Sequence, residues 1–158
     1  MHICTFAHQK RMLKLTEELQ ERVDIIKHKL KFIEQKPAVA CIVDLENIAL
    51  ADSTIAQLVS IAGGAADAQL LDPDIIIIMP AGAAIEETIK GIDQLFQLPG
   101  FADLKAVKNN RLYITDGQRY FNNDEALLVD EIEILAEIIN PKQFIFGYEG
   151  NAWIKFSL

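Results

Sequence analysis

The sequence is poor in the side chains that build metal sites and disulfide frameworks, with two cysteines and three histidines among its 158 residues. Two thiols are too few for a zinc site or for a framework of disulfide bonds. Cys4 lies near the start, and Cys41 lies in an apolar run, which favours a small buried residue over a reactive thiol. His2, His8 and His28 have no second histidine or carboxylate at a convincing ligand spacing. We therefore expect neither a bound metal nor a cofactor.

Catalytic motifs are missing as well. Gly63-Gly64 follows a helical pattern rather than a strand, so it is not a phosphate-binding loop. No serine lies in a nucleophile elbow, and no histidine is placed to activate one. Asp44 and Glu46 lie at the end of a predicted strand. They could form a pair for acid/base chemistry or metal binding, or they could be solvated acids of a loop. We favour the solvated acids. Glu131 and Glu133 are expected on the solvent side of the last helix. We predict that the protein is not an enzyme.

The chain has neither an excess of positive charge nor a long apolar run. Its formal net charge is -8, which makes the phosphate backbone of a nucleic acid an unfavourable partner. No run approaches the roughly 20 apolar residues that span a bilayer. Residues 3–7 are too few for the apolar core of a signal peptide, and residues 9–11 interrupt them. We expect no membrane insertion, and a cytoplasmic location if the sequence is the complete product.

What the sequence does contain begins with a long amphipathic helix within residues 1–36. Apolar residues recur there at spacings of three and four, namely at Met12, Leu15, Leu19, Val23, Ile26, Leu30 and Ile33. The spacing predicts one helix of about 26 residues, roughly 39 Å long, that is ended by Pro37. Its apolar stripe needs cover, either from the rest of the chain or from a second copy.

Residues 37–158 alternate between strand and helix patterns. Buried strands are predicted at residues 38–43, 75–79 and 111–115, and helices at residues 53–62, 83–98 and 124–140. This alternation predicts an α/β fold, a small parallel-sheet (Rossmann-like) sandwich preceded by the long helix. The aromatic tail, residues 144–158, is predicted to add an edge strand or to pack on that helix.

In a parallel α/β sheet, ligands bind beyond the carboxyl ends of the strands. The segments there are residues 44–52, 80–83 and 116–123. The third carries Tyr120 and Phe121 side by side. These aromatics are either core residues or a surface for a ligand, and their place on this edge favours the ligand.

Seven short motifs, in order, resemble those of class III periplasmic binding proteins. These proteins are the substrate-binding components of ABC importers for cobalamin and siderophores. The motifs are LQERVDIIKHKLK (residues 19–31), KPAV (36–39), QLVSIAGG (57–64), LDPDII (71–76), AVKNNRLY (106–113), DG with YFN (116–122) and EILA with NP and F (133–144). They resemble the C-terminal lobe of the family, preceded by the end of the helix that bridges its two lobes. The cobalamin-binding branch is the most similar.

The resemblance implies a site, a partner and a location. It implies ligand contacts by Asp44, Asn47, Gly82, Tyr120, Phe121 and Asn122, a permease-docking role for Asp67, and a periplasmic location. Two stretches differ from the family: polar residues replace tryptophans near Asp44 and Thr54, and residues 123–127 replace an Arg-Pro-Gly-Pro-Arg run. These changes remove stacking surface and cationic contacts.

Two functions remain open. The first is the substrate-binding component of an ABC importer, or its C-terminal half, for cobalamin, a ferric siderophore or a heme-type ligand. The family grips its ligand between two lobes and this sequence has the pattern of one, so we predict a homodimer that rebuilds the cleft. The second is an unexported α/β interaction or structural module that kept the lobe fold and lost ligand binding.

Overall fold

The computed structural model of the protein describes residues 16–157. Helix α1 is Glu17–Leu30, and the Thr16 hydroxyl caps it by accepting a hydrogen bond from the Leu19 N–H at 3.3 Å. The prediction of one helix of about 26 residues that extends to Ile33 is wrong in length, because α1 has 14 residues. Residues 31–33 bond to carbonyls three positions back, which ends the helix in a tight turn. Met12 and Leu15 lie outside the described residues.

The central sheet is mixed. Its strands are β1 (Ala38–Asp44), β2 (Ala49–Leu50), β3 (Ala65–Ala66), β4 (Ile75–Ile78), β5 (Leu112–Thr115) and β6 (Trp153–Phe156). The order is β2-β1-β4-β5-β6, and β3 also pairs with β1. The three predicted strands β1, β4 and β5 are parallel neighbours, as expected. Strands β2 and β6 are antiparallel, so the sheet is not purely parallel, and the tail supplies the predicted edge strand.

Helices cover both faces of the sheet. They are α2 (Ser53–Ile61), α3 (Ile85–Gly91), α4 (Asp93–Phe96), α5 (Lys105–Lys108) and α6 (Leu128–Ile139), with 3₁₀ turns at Phe101–Asp103 and Glu125–Leu127. Helix α2 begins and ends as predicted, because Asp52 caps its first turn and Gly63 follows it with a φ of 105°. The single helix predicted over residues 83–98 is divided at Ile92 into α3 and α4.

Alternate residues of the buried strands enter two separate cores. In β4, Ile75 and Ile77 pack with α1, α2 and α6, whereas Ile76 and Ile78 pack with α4 and α5. All four isoleucines are fully buried. The period of two along the strands therefore builds a three-layer α/β/α sandwich, which is the predicted fold class.

The apolar stripe of α1 is covered by the rest of the chain. Val23 and Ile26 are completely buried in the core that contains α6. Beside them, Arg22 forms an ion pair with Asp130 and with Glu133 of α6. Of the two predicted covers for the stripe, the rest of the chain is the one observed for Val23 and Ile26, so these residues give no reason for pairing, and the homodimer itself stays a prediction. Among the described residues, no helix is long and apolar enough to cross a bilayer.

Candidate functional site

Three loops meet at the carboxyl edge of the sheet: residues 45–48 after β1, residues 79–84 after β4, and residues 116–123 after β5, which we call the aromatic loop. The second and third are joined by two backbone hydrogen bonds. The Gly82 N–H donates to the Gly117 carbonyl at 2.8 Å, and the Gly117 N–H donates to the Ala83 carbonyl at 2.9 Å. A Cβ atom on Gly117 would lie 1.9 Å from the Pro80 carbonyl oxygen. Glycine is therefore required where these two loops touch.

The first loop is an Asx turn. The Asp44 Oδ1 accepts hydrogen bonds from the Glu46 N–H at 2.9 Å and the Asn47 N–H at 3.3 Å. Asp44 is half-buried, and Glu46 and Asn47 are exposed. This geometry favours the interpretation of Asp44 and Glu46 as loop acids rather than as a reactive pair. Within residues 16–157, no group of three or more histidine, cysteine, aspartate or glutamate side chains is placed to hold a metal ion.

Tyr120 and Phe121 follow β5 as expected, but their side chains belong to the core. Tyr120 is 6% exposed and Phe121 is 9% exposed, and both pack in the cluster that contains Val129 and Ile132. The expectation of an exposed aromatic surface is therefore corrected. Phe121 has a left-handed backbone with a φ of 65°, and its N–H donates to the Glu131 carboxylate. A ligand-contacting role for the two aromatics stays a prediction.

The other predicted contacts of this edge are accessible. Gly82 is exposed, with a φ of 80° and open space around its Cα. Asn122 is exposed, but its Nδ2 donates to the carbonyls of Gly117 at 2.8 Å and Gln118 at 3.3 Å. Its amide therefore holds the aromatic loop in shape. The exposed guanidinium of Arg119 lies 5.3 Å from the centre of the Tyr120 ring. Burial is the main cause that raises the pKa of Tyr120.

The glutamates of α6 are buried, which overturns the expectation for Glu131 and Glu133. Glu131, Glu133 and Glu137 are 3%, 6% and 4% exposed. The reason is that α6 packs between the sheet, α1, α2 and the tail. Its polar side, which carries Glu133 and Glu137, is covered by Arg22, Tyr148 and the tail rather than by water. We call Glu131, Glu133 and Glu137 the glutamate row.

The middle and last members of the row have several donors each. Glu133 binds the Arg22 guanidinium, and it accepts a hydrogen bond from the Tyr148 hydroxyl at 2.8 Å. Burial, followed by the hydrogen bond to Glu133, raises the pKa of Tyr148. Glu137 accepts hydrogen bonds from the backbone N–H groups of residues 146, 147 and 149 and from the Trp153 indole. Both glutamates thus fasten distant segments to α6.

Glu131 is the member of the row that contacts the candidate site. Its Oε2 accepts a hydrogen bond from the Phe121 N–H at 2.7 Å. Burial raises the pKa of Glu131 to about 7, although the hydrogen bond from Phe121 lowers it in part. Asp124 and Asp130, both negative, raise it further. Sequence reasoning missed this contact because its donor is a backbone amide.

Asp67 lies away from the carboxyl edge, after β3. Its Oδ1 accepts from the Gln69 N–H and its Oδ2 from the Leu71 N–H, both at 3.0 Å. It lines a small pocket with Val39 and Cys41 whose free volume of about 20 Å³ admits little more than one water molecule. Burial raises the pKa of the Cys41 thiol to about 12, so this thiol is unreactive at neutral pH, as predicted for a buried residue. Permease docking by Asp67 stays a prediction.

The fold has close counterparts among solved structures. An ABC transporter substrate-binding protein from Listeria monocytogenes EGD-e matches with a TM-score of 0.69 and 20% identity, over 79% of this chain and 55% of that one. IsdE of S. aureus, complexed with heme, matches with a TM-score of 0.66 and 20% identity, over 78% of this chain and 57% of that one. The TroA-like periplasmic binding protein FepB from Veillonella parvula matches with a TM-score of 0.59 and 20% identity, over 80% of this chain and 46% of that one.

The chain spans about half the length of these proteins. No family model and no curated protein sequence matches it. The fold implied by the seven motifs is confirmed: the chain has the fold of a lobe of TroA-like substrate-binding proteins.

Proposed function

We propose, from this shared fold, that the chain is a ligand-binding lobe of the substrate-binding protein of an ABC importer. The supporting observation is the match over 79% of the chain to an ABC transporter substrate-binding protein. On this proposal, the protein delivers its ligand to an ABC permease and works in the periplasm. It binds and releases a ligand without transforming it.

The ligand we propose is heme or another iron chelate. Among the similar structures, one is complexed with heme, a second is a periplasmic heme-binding protein from Pseudomonas aeruginosa, and a third is a possible iron-binding protein from Staphylococcus epidermidis. A Helicobacter pylori relative has Ni(II) bound. Cobalamin, the ligand of the most similar branch by motif, is the alternative within the same class.

The proposed site is one half of a cleft. Asp44 ends β1, and Asn47, Gly82 and Asn122 lie on the three loops of the carboxyl edge, where ligands of α/β sheets bind. One lobe covers too little of a large ligand for tight binding. We propose that a second lobe, in a homodimer or in a longer chain, covers the other side. A monomer at all concentrations in sedimentation, with ligand present, would argue against the homodimer.

A binding experiment tests the site. Hemin is titrated into the protein and followed by the heme absorbance, with equilibrium dialysis for a ferric siderophore and for cobalamin. Replacement of the exposed Asn47 by alanine is expected to weaken binding about fivefold, the effect of one lost hydrogen bond of about 1 kcal/mol. The control is Asn109→Ala, since Asn109 is exposed and precedes β5 at the opposite edge of the sheet. Equal affinities in the two variants would place the ligand elsewhere.

The burial and the hydrogen bonds of the candidate site residues support a second candidate function. Tyr120 and Phe121 are buried, and the polar groups of Asp44 and Asn122 are engaged within their own loops. An interaction or structural module that keeps the fold without a ligand accounts for these contacts. Folded protein that retains none of the three ligands in dialysis would favour this function and exclude the first.

A further inference from the structure

The glutamate row differs from member to member in how many donors surround each carboxylate. Glu137 accepts four hydrogen bonds, and Glu133 accepts bonds from a guanidinium and a phenol. Within the described residues, Glu131 accepts one, from the Phe121 N–H. A carboxylate offers about four acceptor positions. A buried negative charge on Glu131 is therefore the least compensated of the three.

The ionisable groups that influence Glu131 from α6 and from the turn before it are acidic. Asp130 is its neighbour on α6, and Asp124 precedes that helix; both disfavour the charged form of Glu131. Burial disfavours it most. The neutral form of the Glu131 carboxyl group is thus favoured while the aromatic loop is closed. Closed means that Tyr120 and Phe121 are buried in the core, as they are in this structure.

The ionisable groups of the aromatic loop do not reverse this balance. The phenol of Tyr120 interacts with Glu131, and its own neighbours are Arg119 and Asp116. Arg119 is exposed, and its guanidinium faces the Tyr120 ring. Within residues 16–157, no cation forms an ion pair with Glu131.

The backbone of the aromatic loop is held in an unusual conformation where it contacts Glu131. Phe121 and Asn123 have φ values of 65° and 62°, in the left-handed region that residues other than glycine rarely adopt. The hydrogen bond from the Phe121 N–H to Glu131 fastens this turn to α6. Opening of the loop would cost this hydrogen bond, but it would release the left-handed backbone and let water reach the ionised carboxylate of Glu131, whose burial is the larger effect.

We propose that Glu131 is a pH switch for the aromatic loop: neutral Glu131 keeps Tyr120 and Phe121 in the core, and ionisation of Glu131 favours an open loop that exposes both aromatics at the carboxyl edge. The opening depends on the carboxyl group and its surroundings alone. The use of the exposed aromatics to bind a ligand rests on the proposed function.

The size of the effect follows from proton linkage. The carboxyl group has a pKa of about 7 in the closed loop and is expected near its ordinary value of 4.5 when water surrounds it. The ratio of open to closed loop then increases about tenfold between pH 6 and pH 8. Most of the increase falls below pH 7, where only the open form gains the charge, and the ratio levels off above pH 7, where the closed form ionises as well.

Hydrogen exchange at the Phe121 amide tests the switch in the full chain. After correction for the pH dependence of intrinsic exchange, its protection is expected to decrease about tenfold from pH 6 to pH 8. In Glu131→Gln, which keeps a carbonyl acceptor but no charge, protection is expected to change less than twofold. The control is Glu125→Gln, which removes an exposed acid before α6 and is expected to behave like the unmodified protein. Equal protection at both pH values in the unmodified protein would overturn the switch.

A second measurement needs no variant. The carboxyl carbon of Glu131, followed by NMR, is expected to titrate with a midpoint near pH 7, and a midpoint near 4.5 would overturn the proposal. Hemin titrations at pH 6 and pH 8 separate the switch from the proposed function. A pH-dependent loop without ligand binding would exclude only the function, and ligand binding with a pH-independent loop would exclude only the switch.

Discussion

The indole Nε1 of Trp153 donates a 2.7 Å hydrogen bond to the Oε1 of Glu137, and this bond joins the edge strand β6 to the interior of α6. Both residues are buried. The same carboxylate accepts three backbone amides of residues 146–149, so one side chain satisfies the polar groups of a whole turn.

Removal of the Glu137 carboxylate is expected to destabilise the protein strongly. In Glu137→Ala, three amides and an indole lose their acceptor, and the free energy of unfolding is expected to fall by about 3 kcal/mol or more. Urea unfolding followed by Trp153 fluorescence measures it, and a red shift of the native emission is expected as water reaches the indole. Glu149→Ala is the control, because only the backbone of Glu149 bonds to Glu137. Equal stability of the two variants would contradict this role.

The attachment of α1 depends on Arg22. In Arg22→Ala, Glu133 keeps the Tyr148 hydroxyl as a donor but loses its cation. Because Arg22 is partly exposed, we expect a loss of about 2 kcal/mol rather than the larger cost of a fully buried pair. Urea unfolding measures the difference from Lys27→Ala, an exposed lysine of the same helix that is expected to cost less than about 0.5 kcal/mol. A loss as small as that of Lys27→Ala would show that the pair does not hold α1.

Gly117 and Gly82 are both expected to resist substitution, for different reasons. Gly117→Ala places a methyl group against the Pro80 carbonyl and is expected to cost about 3 kcal/mol or more, because backbone must move. Gly82→Ala has open space and strains only a left-handed backbone, so a cost of about 1 kcal/mol is expected. Thermal unfolding of the two variants compares these costs. The reverse order of stabilities would mean that the loops do not touch as described.

Glu131 is expected to make stability fall as the pH rises. Its folded pKa of about 7 lies above the ordinary value of 4.5, so the folded protein binds more protons than the unfolded chain between these values. The contribution is complete below pH 4.5 and is lost as the pH rises through 7, with a full size of about 3 kcal/mol. Urea unfolding at pH 5, 6, 7 and 8 measures it, and the difference between Glu131→Gln and the unmodified protein is expected to follow this curve. A constant difference would contradict the assignment.

The parts of the fold that were predictable have local causes. The strands β1, β4 and β5 are apolar runs bounded by turn residues, and α2 carries its own cap at Asp52 and its own stop at Gly63. These signals lie within a few residues of the structure that they specify. Strands β2 and β3 have two residues each, which is too short for any periodic pattern.

The parts that were not predictable depend on partners distant in the chain. Glu133 is buried because Arg22, 111 positions earlier, reaches it. Tyr120 is buried beside Phe121, whose left-handed backbone no local sequence pattern predicts for a phenylalanine. The seven motifs and the strand pattern placed the predicted ligand contacts at the carboxyl edge of the sheet, where the structure has them, and the binding of a ligand there stays a prediction. They could not show which of its side chains are free, because that is decided by hydrogen bonds within the loops.

The four identical residues of β4 leave the alignment of this strand undetermined by its own side chains. A slip by one position normally turns an apolar face toward water, but here it would exchange isoleucine for isoleucine on both faces. The information must come from the flanking residues. Asp74, which precedes the strand, supplies it at one end: its carboxylate accepts a hydrogen bond from the Ala38 N–H at 2.9 Å, and its own N–H donates to the Ala38 carbonyl at 2.8 Å. One polar side chain outside the strand thus distinguishes the observed alignment of β4 from a slipped one.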